Sequence, residues 1–368
     1  MKIVYVTNDV FGQGGVARVL SIKSSFLIEK PNYQVEIISS TIAELTFFKF
    51  SPSVLIKHIP IYGRSAFSLL SYFRRLKKEI IKAKPDCVVI CDNGIKGHLM
   101  CFLDFKAPVV FESHAIDLIP LSKGTFLLKS VAHYLKKILI RMSLKRVSKH
   151  VVLSQSAADL LKSKNAIVIP NPIGLSAKPK ANLNSQKAIA VGRLTPSKGY
   201  ERMLRIWKKI HQIHPHWKLD IYGEGSYKNQ LLELIESYNL SDIINLKGST
   251  PKIENLYKDY ALLIHTSLYE SFSMVLLEAM VNGLPVVAYD CPLGPREIVT
   301  NEEDGFLVED NAEEAFVERA TSLMSDHMLR SHMGQNASVN MKRFETKEMM
   351  RQWQQLFVDL KKDYDSMK

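Results

Sequence analysis

Short runs of β-branched and other apolar residues alternate along the chain with longer stretches whose apolar positions recur every three to four residues. Residues 2–6, 34–38, 87–90 and 109–111 read as strands, and 16–28, 67–83 and 127–147 read as the helices between them. The alternation restarts at 188–191 and continues through 218–222, 244–246, 262–265 and 285–288. Repeated strand–helix alternation predicts parallel-sheet α/β domains, here two. Ile169-Pro170-Asn171-Pro172 ends the first series, and the polar, aperiodic stretch 177–187 reads as a linker because proline cannot continue a ladder. The expected division is 1–175, 186–345 and a C-terminal helix within 346–368. That helix carries Trp353 and Phe357 at i, i+4, and packing back on the N-terminal domain is one arrangement open to it. Ligands of open α/β sheets sit outside the carboxyl ends of the strands. Two such domains joined by a linker are therefore expected to face each other across a cleft.

The length of 368 residues suits two domains and excludes a small binding module. With 46% hydrophobic and 23% charged residues the chain has material for cores and lacks the signature of disorder. No apolar run reaches the roughly 20 residues that span a bilayer, and Met1-Lys2-Ile3 leads straight into a strand pattern. A cytoplasmic protein is expected. Cys87, Cys91, Cys101 and Cys291 have neither paired spacing nor a histidine pattern, so buried thiols are expected rather than a metal site or disulfides. The net charge of +12 is uneven: residues 1–185 hold 27 Lys+Arg against 11 Asp+Glu, and residues 186–368 hold 22 against 26. The basic half points toward a polyanion or an anionic membrane.

The candidate chemistry sits after strands. Glu270-Ser271-Phe272-Ser273-Met274-Val275-Leu276-Leu277-Glu278 follows the strand at 262–265. If helical throughout, it would separate its two carboxylates by up to about 12 Å along the axis. A glycosidase pair lies at about 5 to 9.5 Å, so this spacing suits instead the two ends of one extended ligand. Ser271 or Ser273 is expected to cap the helix, with the Met274 and Val275 amides facing a phosphate. The plainer alternative is two solvated glutamates. Gly192-Arg193-Leu194-Thr195-Pro196-Ser197-Lys198-Gly199 brings Arg193 and Lys198 to another strand end, where two cations would neutralise a diphosphate unless Arg193 simply makes a surface ion pair. Phe11-Gly12-Gln13-Gly14-Gly15-Val16 offers backbone to an anion, or is merely a tight turn.

Gly192 to Gly199, Glu270 to Glu278 with Ala279-Met280, Gly283-x-Pro285-Val286-Val287 and Gly305-x-Leu307-Val308, in that order, resemble the retaining GT-B glycosyltransferases of family 4. The resemblance implies two Rossmann-like domains, with the nucleotide-sugar held mainly by the second. It implies that Glu278 binds the ribose hydroxyls and Glu270 the donor sugar. Arg193 and Lys198 would hold the diphosphate with the Met274 and Val275 amides and the Gly14-Gly15 loop. His114 would lie near the reacting sugar. Retention of anomeric configuration is likewise implied, and so is a scheme needing neither metal nor cofactor beyond the donor. No D-x-D is placed at a strand end. Tyr289-Asp290-Cys291-Pro292-Leu293-Gly294-Pro295-Arg296-Glu297-Ile298 resembles the loop version of bacterial surface-polysaccharide transferases that use UDP-hexoses or UDP-N-acetylhexosamines. It equally suits a turn that merely positions the next helix.

The segment 122–150 interleaves Lys129, Lys136, Lys137 and Arg141 with apolar residues, and Arg74, Arg75, Lys77 and Lys78 form a second basic cluster. Such a helix can lie in a membrane interface or can be an ordinary amphipathic helix on a sheet. The expectation is peripheral attachment to the inner face of the cell membrane and transfer to a lipid-linked, lipopolysaccharide-type or other saccharide acceptor. No nucleic-acid motif accompanies these clusters. A UDP-sugar epimerase or hydrolase on the same scaffold, and a non-catalytic scaffold protein, are the competing functions.

Overall fold

The structure, a computed structural model, describes residues 1–63, 65–115, 127–174 and 181–368, with the side chains of 127–132 outside that description. It divides into two units, Met1–Pro172 with Thr346–Lys368, and Ile173–Glu345.

The first unit is built on β1 (Lys2–Thr7), β2 (Gln34–Ser39), β3 (Leu55–His58), β4 (Cys87–Ile90), β5 (Val109–Ser113), β6 (Lys149–Val152) and β7 (Ala166–Val168). All pairs are parallel, in the order β3-β2-β1-β4-β5-β6-β7. Helices α1 (Gly15–Ile28), α2 (Ala66–Ala83), α3 (Ile95–Met100), α4 (Leu127–Leu144) and α5 (Gln155–Leu161) connect them. Strand β5 runs two residues beyond its apolar run, which places Glu112 and Ser113 inside the sheet. The second unit repeats the pattern with β8 (Lys187–Val191), β9 (Lys218–Tyr222), β10 (Ile244–Gly248), β11 (Leu262–His265), β12 (Val286–Tyr289) and β13 (Phe306–Val308), ordered β10-β9-β8-β11-β12-β13. Its helices are α6 (Tyr200–Ile213), α7 (Lys228–Ser237), α8 (Met274–Val281), α9 (Pro295–Ile298), α10 (Glu313–Ser325) and α11 (His327–Asn340). The edge strands β3, β7 and β13 and the interior β6 lie outside the strands read from the sequence: β3 and β6 each contain a lysine and a histidine, and β7 and β13 are only three residues long.

The closing helix α12 (Thr346–Ser366) belongs to the first unit. Its buried stripe of Met350, Trp353, Leu356, Phe357 and Leu360 joins Ile3, Tyr5, Leu20 and Val89 in one core cluster. Burial of each large side chain contributes about 1.5 to 3 kcal/mol. Beyond the first unit the chain is docked rather than free from Ala181 onward. The Ala181 amide donates to Asn282 O, the Asn182 amide to Lys258 O, and Arg330 donates to Leu183 O.

In both sheets the strand order reverses between the first strand and its neighbour on the other side, β1 against β4 and β8 against β11. At such a reversal the following connections leave in opposite directions and open a crevice at the strands' carboxyl ends.

Candidate active site

The reversal between β8 and β11 brings Lys198 and Glu270 together; Arg193 also follows β8, and Glu278 lies on α8 beyond β11. Strand β8 is followed by Gly192-Arg193, and the Arg193 side chain is exposed and makes no surface ion pair among the described residues. A single 3₁₀ turn, Pro196–Lys198, then carries Lys198 back over the strand ends, and Gly199 follows at φ 67°. A Cβ at Gly199 would stand 2.0 Å from Thr266 O, so only glycine lets this turn rest on the end of β11.

On the other side, β11 leads through Thr266 and Ser267 to Glu270. Lys198 Nζ lies 2.5 Å from Glu270 Oε1, Ser267 Oγ donates to the same oxygen at 2.8 Å, and His265 Nε2 is 3.3 Å away. Burial pushes the Glu270 carboxyl up, but the Lys198 ammonium and His265 outweigh it and hold it well below the usual carboxylate range. Glu270 is therefore an ionised acceptor in a nearly closed recess.

The helical assumption for the whole E-x7-E segment is corrected by the backbone. Residues 270–273 are not helical and α8 starts at Met274, so the axial estimate from the spacing does not apply. The capping expectation fails too. Ser273 occupies the position before the helix in a left-handed conformation (φ 66°) and makes no side-chain cap; its hydroxyl lies 3.4 Å from His265 Nε2. No side chain thus caps the first turn, where the Met274 and Val275 amides sit, and that turn carries the positive end of the helix dipole. Glu278, one turn further on, is buried and receives the Tyr257 hydroxyl at 3.2 Å, which disposes of the reading as a solvated glutamate.

Two supports were not legible in the sequence. Arg202 is buried, donates to Thr266 O at 2.7 Å and to Ser267 O, pairs with Asp310 at 2.7 Å, and stacks 4.1 Å over Tyr289. It fixes the backbone from which Glu270 projects. The loop after β12 fixes it from the other side: Gly294 N donates to Glu270 O at 2.9 Å, and a Cβ at Gly294 would meet the Phe272 backbone at 2.9 Å. The Gly-Pro segment thus braces the Glu270 turn.

In the first unit the Gly12-to-Gly15 turn follows β1, and a Cβ at Gly14 or Gly15 would meet nothing within 4 Å. Those glycines are not demanded by packing. At the end of β5, His114 is nearly buried, with Nε2 3.4 Å from Glu112 Oε1. Glu112 holds Lys23 Nζ at 2.8 Å from both of its oxygens, and that ammonium sits 3.4 Å over the Trp353 ring. Burial raises the Glu112 carboxyl, but Lys23 and then His114 reverse this and keep it far below the carboxylate range. Cys91 Sγ lies 3.3 Å from Glu112 Oε2, and burial pushes its thiol well up. Cys91, Glu112 and His114 bring their ligand atoms within 4.8 Å of one another, and in this arrangement the Lys23 ammonium is the cation paired with the carboxylate. A glutamate at the end of an apolar strand signals such a buried counter-charge, because an unpaired one is too costly to keep.

Of the expected membrane residues, Arg141 is exposed and Lys136 and Lys137 are partly exposed on α4, while the Lys129 side chain lies outside the described residues. Arg75 is engaged locally, donating to Pro60 O at 2.6 Å. No helix among the described residues is long and apolar enough to cross a membrane.

Two doubly wound parallel sheets, one bearing a paired set of cations and acids at its reversal point, define the GT-B class of glycosyltransferases. Residues 13–177 match the model described as Glycosyltransferase Family 4, and residues 175–339 match Glycosyl transferases group 1. The amylovoran biosynthesis glycosyltransferase AmsD of Erwinia amylovora is 30% identical over 96% of this chain and 98% of its own. A poly(ribitol-phosphate) alpha-N-acetylglucosaminyltransferase of Staphylococcus aureus is 27% identical over 53% of this chain and 40% of its own. Among solved structures, Anabaena Alr3699/HepE in complex with UDP and glucose superposes with a TM-score of 0.78 at 17% identity, covering 98% of this chain and 100% of that one. The chain belongs to the family 4-type GT-B glycosyltransferases.

Proposed function

We propose that the protein is a retaining, metal-independent glycosyltransferase that moves a hexose or N-acetylhexosamine from a UDP-sugar to a lipid-linked or surface-polysaccharide acceptor at the inner face of the cell membrane. The observation that carries this reading is the Lys198–Glu270 pair beside the uncapped first turn of α8.

A departing diphosphate develops charge as the glycosidic bond lengthens. Arg193, Lys198 and the Met274 and Val275 amides are cationic or hydrogen-bond donors, and donors that hold the leaving group more tightly than the bound donor lower the barrier. An arriving diphosphate offers Lys198 a second anion, which releases one side of Glu270 toward sugar hydroxyls. Glu278, fixed by Tyr257, is the acceptor for the ribose hydroxyls. In the first unit, the Gly14-Gly15 backbone faces open space and His114 is held against Glu112. Because the positive charge comes from side chains and amides, chelation with EDTA should leave turnover intact.

The UDP-linked donor draws support from the solved relatives bound to UDP, and the acceptor class from AmsD and the poly(ribitol-phosphate) enzyme. The test is release of UDP from a panel of UDP-sugars with and without saccharide or lipid-linked acceptors. Acceptor-dependent release with net retention supports the reading. Acceptor-independent turnover would assign a hydrolase, and absence of donor binding a scaffold. Flotation with vesicles of anionic lipid, abolished by salt, tests the membrane location.

A further inference from the structure

On the first unit, a groove of about 630 Å³ lies between α4 and the end of α5. Its apolar residues include Ile140, Leu144 and Leu161, and Arg141, Lys145, Lys162 and Lys164 also line it. Among the described residues no acidic side chain lines it. All four cations are exposed, whereas Ile140 and Leu144 are buried. The site thus joins two chemistries: an apolar floor in which Leu160 leaves 46% of its surface in water beside half-buried Leu161 and gains by being covered, and four positive charges that repel one another until an anion arrives.

A second observation lies on the same helix. Tyr134, Ile138 and Met142, spaced every four residues, are exposed together with Leu135. The four leave between 37% and 65% of their surface in water, on a helix that also buries Ile140 and Leu144. Helix α4 is apolar on two sides, and packing in the core accounts for only one. An apolar stripe of this kind beside cations suits insertion at a headgroup boundary.

We propose that this groove binds a single phosphate-bearing lipid, with the phosphate among Arg141, Lys145, Lys162 and Lys164 and the first chain segment over Leu160 and Leu161, next to the buried Ile140 and Leu144. A bare inorganic anion leaves the floor wet, and a zwitterionic lipid brings a cation of its own into a cationic rim. The occupant is therefore an anionic amphiphile. This deepens the membrane part of the function proposed above and does not depend on the donor or the transfer reaction.

The test uses the full chain with methyl-labelled isoleucine and leucine, titrated with dihexanoyl phosphatidic acid below its micellar concentration. Saturable shifts of the Ile140, Leu144 and Leu161 methyls are expected. Binding should be at least tenfold weaker with dihexanoyl phosphatidylcholine and with inorganic phosphate. Lys162→Glu combined with Lys164→Glu should weaken phosphatidic acid binding at least tenfold while UDP release from a UDP-sugar is unchanged. Equal binding of the two lipids, equal binding of inorganic phosphate, shifts confined to other methyls, or an unaffected double variant would each overturn the groove. A protein that floats with anionic vesicles yet fails this titration keeps its membrane location and loses this site.

Discussion

Lys198 and Glu270 hold each other at 2.5 Å, and each answers for the other's charge. Lys198→Ala should reduce turnover by about 10² to 10³, as removal of one donor to a developing anion does elsewhere. It should also destabilise the second unit by about 1 to 3 kcal/mol. That is less than for a fully enclosed pair, because Lys198 is 21% exposed and His265 remains as a partner. Adding Glu270→Gln should restore the stability and leave activity lost; urea unfolding and UDP release read the two separately. A second residue-scale expectation concerns acid. His150 is buried, and burial, then His98, lowers its pKa from 6.5 to about 4. The unfolded chain binds this proton first, so the neutral histidine's contribution is complete above pH 6.5 and is lost as pH falls toward 4, at most about 3 kcal/mol. Glu112 and Glu270, with depressed values, contribute above the unfolded carboxylate range near pH 4.5 and lose that contribution only at lower pH. Unfolding midpoints at pH 7 and pH 4.5 should therefore fall more steeply for the wild type than for His150→Asn. At this scale the sequence exposes Arg193, Lys198, Glu270 and Glu278, because each follows a strand end at readable spacing. Arg202, Lys23 and Tyr257 stay hidden, because their meaning lies in contacts across tens of residues.

Among the elements, the two glycine turns differ in what demands them. Gly199 is required by the fold, since a Cβ would strike Thr266 O and φ is positive. Gly15 faces open space. Gly199→Ala should lower the thermal midpoint and activity together, whereas Gly15→Ala should leave the midpoint within a degree or two and cut turnover at least tenfold. Equal effects in thermal melts and UDP-release assays would contradict a ligand-facing role for the first turn. Helix α8 shows what a spacing argument cannot supply. Its presence after the strand is readable, but its start at Met274 is set by a left-handed Ser273 whose hydroxyl lies 3.4 Å from His265 Nε2. The central strands β1, β4, β8 and β11 and even the edge strand β10 are legible as apolar runs, whereas the edge strands β3, β7 and β13 and the interior β6, which opens on Lys149-His150 after a basic stretch, are not.

For the molecule as a whole, α/β alternation and its restart at 188–191 carry the architecture, and the reversal of strand order in each sheet carries the location of chemistry. Charge asymmetry points to the basic first unit, yet only the folded chain shows four of its cations around an apolar groove. The function proposed for this chain requires a nucleoside diphosphate sugar to lie at the reversal between β8 and β11. A crystal of the full chain soaked with UDP tests this most directly. The diphosphate is predicted within hydrogen-bond distance of Lys198 Nζ and the Met274 and Val275 amides, with the Lys198–Glu270 contact lengthened and the ribose on Glu278. Density for UDP at any other part of the chain, with that ion pair intact at 2.5 Å, would contradict it.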